Sequence, residues 1–453
     1  MQTFVMFLLI IASVVLMVFA ISKLKMHPFI VMLVIAMLLG LCWGLYQPGT
    51  AGLETPADMV TTIKNGFGGI MTSIGIVILC GTIIGTILEK TGAALTMANT
   101  ILKLVGKKNS VVAMGAMGYV TGIPVFCDSG FVVLSPISRA LAQQSNISLA
   151  VMGTALSGGL YATHCLVPPT PGPIAMAGTL EADLGLTILV GLCISIPAVI
   201  VAILYAKFVA SKIDIPANSE FTYEELQSKY GKLPGAVQSF APIILPIILI
   251  ALASVASFPG SPFGTGVFFK FIAFIGKPEV ALLLGVFLSI SLIPESEKEN
   301  TLKWVTQGVT DSAGILAITC AGGSFGAILK CLPIADSVGS LTSTGIGVLI
   351  PFIIAAILKI AMGASTVAMI TTAGMMAPLM ATMGFTSPLA KVLVVMAIGA
   401  GSMFVSHAND SYFWVVSQFS DMKTNEAYKC QTGMTGVMGL TVIIIVFILS
   451  LFV

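Results

Sequence analysis

Residues 159–178 read GLYATHCLVPPTPGPIAMAG, and residues 406–414 read SHANDSYFW. Each string lies inside a run apolar enough to cross a bilayer, and each interrupts that run with groups a lipid-facing helix does not carry. Pro168, Pro169, Pro171 and Pro173 remove backbone donors, so a helix passing through His164 must unwind there. Broken backbone at membrane depth is tolerated only where protein or a watery cavity covers it, because each unpaired peptide group in hydrocarbon costs several kcal/mol. The two strings therefore predict a polytopic, all-α membrane protein whose broken helices surround a polar site.

Composition agrees. Of 453 residues 57% are hydrophobic and only 9% charged, with 21 basic and 19 acidic side chains, and the mean hydropathy is +1.05. A soluble domain is nearer about one quarter charged. A net charge of +2 with a single arginine, Arg139, leaves no basic stripe for a phosphate backbone, so nucleic acid is excluded as a partner. The eight cysteines form no CxxC and no His/Cys zinc spacing, and read as small buried hydrophobes; no cofactor or metal is expected. There is no HExxH or Walker loop, and His407 to Asp410 (HAND) lacks a partnered nucleophile, so an intramembrane enzyme is not expected.

A bilayer core takes about 20 apolar residues per helix. Stretches near 4–22, 28–46, 68–88, 148–178, 184–206, 238–257, 278–294, 308–330, 388–419 and 433–452 qualify, giving about ten spans. Two more, near 110–144 and 344–384, are broken at Gly, Pro and polar residues in mid-run, and each reads as a re-entrant helical hairpin. Met1 to Ala20 has no basic n-region and no small-residue cleavage site before Lys23 and Lys25, and is expected to be a retained first span. If that span starts outside, Lys23, Lys25, Lys90, Lys103, Lys107, Lys108, Arg139, Lys207, Lys212, Lys229, Lys232, Lys298, Lys303, Lys423 and Lys429 all face the cytoplasm and both termini are periplasmic. The polar stretch 207–237, with EFTYEELQSKYGK, is then a cytoplasmic linker.

A weak internal repeat divides the chain into 1–206 and 238–453. Gly69 and Gly81 fall on Gly314 and Gly326, Pro136 on Pro378, Ala150 on Ala390, and His164 on His407, in order and at nearly constant offset. With five full spans and one hairpin per half, the crossings are odd in number, so the second copy is upside down. Inverted repeats build secondary transporters, with substrate held at the midplane between broken helices.

Ionisable groups at membrane depth are few, costly, and functional candidates by default. Asp128 in VFCDSGF and Asp410 in SHANDSY lie at presumed break points, and His164 and His407 occupy equivalent places in the two halves. A proton symporter needs a carboxylate or imidazole whose pKa can cross the working pH, which makes Asp128, Asp410 and His164 the proton-coupling candidates, with His407 beside them. The plainer reading of both aspartates is helix capping at a break. The third histidine, His27 beside Pro28, reads as structural. Small hydroxyl residues next to glycine at the hairpin tips, CDSG (127–130) and GAST (363–366), leave backbone N–H groups open at a helix start, an anion site. Lys359 is the one lysine deep in the second hairpin; it either offers charge to a carboxylate or snorkels to the interface.

The strings GIPVFCDSGFVVLSPI, GLYATHCLVPPTPGPIAMAG, GASTVAMITTAG and SHANDSYFW resemble those of the gluconate permease (gluconate:proton symporter) family, and the resemblance runs from about residue 5 to 450. It implies proton-coupled uptake of gluconate or a related small hydroxy-monocarboxylate across the bacterial inner membrane. It also implies an elevator-type fold, with opposed hairpins and two unwound helices on a mobile domain, beside a scaffold that forms homodimers. The substrate-binding positions it implies are Ser129, Gly130, Thr163, His164, Ser365, Thr366, Ser406, His407 and Asn409, together with Lys359. The family pattern near the second tip has an arginine; Lys359 offers a point charge where arginine offers a fork. Sodium-coupled carboxylate symport, cation/proton antiport using Asp128 and Asp410, and a passive anion channel stand as the other readings.

Overall fold

The computed structural model describes residues 2–24, 26–106, 109–217, 233–256, 266–333, 346–408 and 410–453. Asn409, the linker string 220–232, Lys25, Lys107 and Lys108 lie outside the described residues. Among the described residues every regular element is helical. The first part of the chain forms α1 (Gln2–Ser22), α2 (Pro28–Tyr46), α3 (Pro56–Lys90), α4 (Ala93–Val105), α5 (Ser110–Thr121), α6 (Cys127–Ser145), α7 (Leu149–Leu166), α8 (Pro171–Thr179) and α9 (Leu184–Phe208). The remainder forms α10 (Ala236–Ala256), α11 (Val267–Ile275), α12 (Pro278–Ile290), α13 (Thr301–Lys330), α14 (Leu349–Met362), α15 (Ser365–Met376), α16 (Pro388–Met403), α17 (Ser411–Phe419) and α18 (Gly433–Ser450).

Helix starts follow local chemistry. Thr55 accepts the Asp58 N–H ahead of α3, Asp183 accepts the Leu186 N–H ahead of α9, and Ser387 accepts the Ala390 N–H ahead of α16. His27 does the same for α2, taking the Phe29 N–H on Nδ1 at 3.3 Å. Seven helices among the described residues are long and apolar enough to cross a membrane, or eight if α11 and α12, bent by 63°, are one span. The expected span 388–419 is two short helices: α16 stops at Met403 and α17 starts at Ser411. The expected span 148–178 likewise divides, α7 ending at Leu166 and α8 starting at Pro171, with Pro168 and Pro169 between them and Pro171 and Pro173 in the first turn of α8.

Two apolar cores organise the packing. One is shared by α4–α9 and α14–α18; the other is built from α1–α3, α10, α12 and α13, and takes in one face of α14 and α15. Where the bodies meet, helices touch through backbone. A Cβ on Gly374 of α15 would stand 2.9 Å from the Gly322 oxygen of α13, and one on Gly85 of α3 would stand 2.5 Å from the Pro124 oxygen at the turn between α5 and α6. A cleft of about 290 Å³ opens at the same boundary, lined by Asn65 and Ser73 of α3, Thr179 at the end of α8, Glu181 beyond it, Lys330 of α13 and Gly374 of α15.

The chain's one arginine ties the far ends of two site helices. Arg139 of α6 donates to both carboxylate oxygens of Asp421, at 2.5 and 2.9 Å, and to the Phe419 carbonyl that ends α17. Those hydrogen bonds hold the Asp421 carboxyl below its ordinary range. A depressed carboxyl contributes stability above its unfolded pKa and loses it as pH falls through the folded one. Asp421→Asn is therefore expected to lower the melting temperature in detergent at pH 7 by an amount worth about 1 kcal/mol at most. The gap from wild type should close as pH drops below about 4; a gap that is unchanged at low pH contradicts the clamp.

Candidate functional site

The site is built on two interruptions of helix. At the second hairpin α14 ends at Met362, and Gly363 takes φ +86, a left-handed conformation that favours glycine. This turn aims the Gly363 carbonyl back at the side chain of Lys359, one turn earlier, which donates to it. At the second break Asp410 precedes α17, and its Oδ1 accepts the Tyr412 N–H at 3.1 Å. The capping reading of Asp410 is thus correct, and incomplete. Its other oxygen lies 2.5 Å from Lys359 Nζ, and the two side chains are 5% and 0% exposed. Lys359 does not snorkel: its ammonium is fully buried, because Asp410, the Gly363 carbonyl and the Ser365 hydroxyl at 3.2 Å take its three protons.

A second layer of contacts fixes this pair. Ser406 donates to Asp410 Oδ2 at 2.5 Å, and is itself held by Thr435, which accepts the Ser406 N–H, and Thr432, which donates to its carbonyl. Tyr161 shares a 2.6 Å hydrogen bond with Ser365, and its ring centroid is 5.7 Å from Lys359 Nζ. Tyr161 stacks on Tyr412 at 5.2 Å and on His164 at 6.3 Å; Tyr412 donates to the Ser157 carbonyl, and Phe131 of α6 meets the Tyr412 ring edge-on. Residues from α6, α7, α14, α15 and α17 thereby converge on one ion pair.

Buried polar atoms are nearly always hydrogen-bonded. Among the described residues two titratable side chains break that rule, and both are here: Asp128 Oδ1 and His164 Nδ1 are buried without a partner. Asp128 does not cap α6, whose first turn follows Phe126, and its carboxylate stands close enough to feel the charges of both Asp410 and Lys359. A carboxylate acceptor left open beside an imidazole can receive hydroxyl or ammonium protons from a small molecule, and Asp128 can also hold a proton of its own.

Other expected positions lie elsewhere. His407 is half-buried, with ring Nε2 3.1 Å from the Ile360 carbonyl; it meets Asp410 only through its own carbonyl, which accepts the Asp410 N–H at 2.8 Å, so the two histidines at equivalent sequence positions have different surroundings. Thr163 spends its hydroxyl on the Gly159 and Leu160 carbonyls of its own helix. Gly130 uses its N–H on the Phe126 carbonyl, and a Cβ there would come 2.7 Å from Leu160, so it is a packing residue of α6 on α7. Ser129 and Thr366 are half-buried in the first turns of α6 and α15. Tyr161 and Tyr412, which sequence reasoning missed, sit three residues before His164 and two after Asp410; an aromatic flanking each break was the available signal. Gly322–Gly326 (GGSFG) fits the GxSxG pattern, but Ser324 is mid-helix in α13 and donates to the Ile63 and Cys320 carbonyls, so it forms no nucleophile elbow.

A polytopic helical protein with a buried ion pair between a hairpin tip and a broken helix has the build of a membrane transporter. A family model described as GntP family permease matches residues 5–452, and the chain belongs to that family. It is 36% identical to an uncharacterized permease of Haemophilus influenzae, over 92% of this chain and 86% of that protein. It is 31% identical to a gluconate permease of Pseudomonas aeruginosa, over 95% and 94%, and 30% identical to the D-serine transporter DsdX of Escherichia coli, over 97% and 96%. The fold is similar to that of the Alcanivorax borkumensis YdaH transporter, with a TM-score of 0.67 at 15% identity, covering 94% of this chain and 99% of that one.

Removing one member of a buried pair leaves the other uncompensated, which costs about 3–5 kcal/mol. Lys359→Ala should lower the melting temperature sharply, whereas Lys359→Gln combined with Asp410→Asn, which removes both charges and keeps hydrogen-bonding groups, should recover at least half of the loss. Additive losses in the double variant would show that the pair is not a unit.

Proposed function

We propose that the chain is a secondary active transporter that moves a small hydroxy-monocarboxylate, gluconate or a related sugar acid, across the bacterial inner membrane by symport with protons. The observation that carries this reading is the buried Lys359–Asp410 pair with Asp128 Oδ1 and His164 Nδ1 open beside it. Lys359, the Ser365 hydroxyl and the first turn of α15 suit a carboxylate, while Asp128 and His164 suit the donor hydroxyls of its tail. The names of the relatives bound the substrate class, since gluconate and D-serine are both small carboxylates with a neighbouring polar group.

Two features support an elevator movement, in which the core holding the site slides along the other. The bodies meet through glycine backbone, which has no side chains to interdigitate, and the cleft between them leaves room for displacement. The lysine distribution favours periplasmic termini, and the family resemblance favours a homodimer in the bilayer.

Purified protein in proteoliposomes, given an inward proton gradient without sodium, is expected to accumulate labelled gluconate above its outside concentration. Flux that only equilibrates gluconate points to a channel, and strict sodium dependence overturns proton coupling. Asp128→Asn should abolish accumulation by at least tenfold while leaving a folded, monodisperse protein; near-normal accumulation by that variant removes Asp128 from the mechanism.

A further inference from the structure

All three ammonium protons of Lys359 are committed, and one of them goes to a carboxylate of the protein itself, Asp410. We propose that Asp410 is an internal stand-in for the substrate carboxylate: it occupies the substrate's place on Lys359, and leaves it only when it takes up a proton. This deepens the carboxylate-symport reading and rests on it, adding the means by which a proton and an anion are forced to travel together.

Charge arithmetic motivates the exchange. The site holds one buried cation and one partnered anion, and a carboxylate arriving as well would place two anions on one ammonium in a medium where unit charges at 4 Å interact by several kcal/mol. Unpaired buried charge is the costly state, so the arriving anion is admitted when Asp410 is neutralised. The step balances: a proton from the aqueous side forms an O–H bond on Asp410, the Lys359 N–H···Oδ2 hydrogen bond breaks, and the freed N–H donates to the incoming carboxylate. One proton and one anion are taken up, and the net charge of the site is unchanged.

The geometry gives protonated Asp410 somewhere to go. Its Oδ1 caps α17 through the Tyr412 N–H, and Ser406 stays within hydrogen-bond distance of Oδ2. The hydroxyl of Ser406 can donate to a carboxylate and accept from a carboxylic acid, so one side chain satisfies both states. Asp410 can therefore release Lys359 without becoming an orphan and without unwinding the helix start. Ser365, held by Tyr161, remains beside Lys359 to donate to the newcomer.

Besides Lys359 on α14, six titratable groups feel the charge of Asp410: Cys127 and Asp128 on α6, Tyr161, His164 and Cys165 on α7, and Tyr412 on α17. Asp128 is the other carboxylate among them, and the rival site for the coupled proton. It has no contact with Lys359 Nζ in the hydrogen-bond network, so its protonation frees no donor.

The test is calorimetric binding of gluconate to the purified full-length protein between pH 5.5 and 8, in two buffers of different ionisation enthalpy, so that protons taken up per gluconate are counted. Wild type is expected to take up about one proton per gluconate, with affinity falling by up to about tenfold per unit as pH rises, and Asp128→Asn to bind gluconate more weakly but with the same proton count for each gluconate bound. Asp410→Asn should bind with no proton uptake and a flat pH profile, and Lys359→Gln should lose at least tenfold in affinity at every pH. Loss of gluconate binding in Asp410→Asn, proton uptake that survives in Asp410→Asn but vanishes in Asp128→Asn, or binding by wild type without proton uptake overturns the exchange while leaving gluconate transport standing. Failure of wild type to bind gluconate at any of these pH values overturns the gluconate reading, and the exchange falls with it.

Discussion

A lysine and an aspartate buried together within a membrane protein set the terms for everything around them. Two charges removed from water cost several kcal/mol each, and that cost is offset only if the pair is close and every remaining proton and lone pair is satisfied. Lys359 meets the requirement with a carbonyl released by the left-handed turn at Gly363 and a hydroxyl at the start of α15. Asp410 meets it with the Ser406 hydroxyl and the opening N–H of α17. Neither set of partners exists in an unbroken helix. The breaks are what the ion pair requires, and the aromatic stack of Tyr161, Tyr412 and His164 packs beside it.

The same constraint bears on the other ionisable groups near the pair. The start of α6 contributes one carboxylate, Asp128, and the last turn of α14 one lysine, Lys359, while the broken segments contribute a buried histidine, His164, and a carboxylate, Asp410. His407 turns instead to the backbone of α14. Four ionisable groups share one buried volume, so a change of charge at one is felt at the others. That property is what a coupled transporter needs and what a structural core avoids.

Much of this was legible in the sequence, for physical reasons that differ from element to element. The prolines at 168, 169, 171 and 173 forbid a continuous helix whatever surrounds them, so the end of α7 could be read from composition alone. Asp410 could be marked because charge at depth is rare, and its capping role because it precedes a helix-forming run. The partner of Lys359 could not be read, since 51 residues separate it from Asp410 and only the tertiary fold brings the two within 2.5 Å. Nor could the different surroundings of His164 and His407, whose matching places in the sequence say nothing of which ring faces the ion pair. Gly130 and Thr163 were marked by chemistry that their own helices use up: an N–H bonded within α6 and a hydroxyl bonded within α7. The tyrosines were hidden by type, because an aromatic in an apolar span reads as core until its hydroxyl is seen to hold Ser365.

An experimental structure of the Asp410→Asn protein with gluconate bound addresses the central claim most directly. A carboxylate within hydrogen-bond distance of Lys359 Nζ and the Ser365 hydroxyl, in the place Asp410 Oδ2 now holds, is the expected result. Gluconate bound with its carboxylate away from Lys359, or seated in the cleft between α3, α8, α13 and α15, would contradict it.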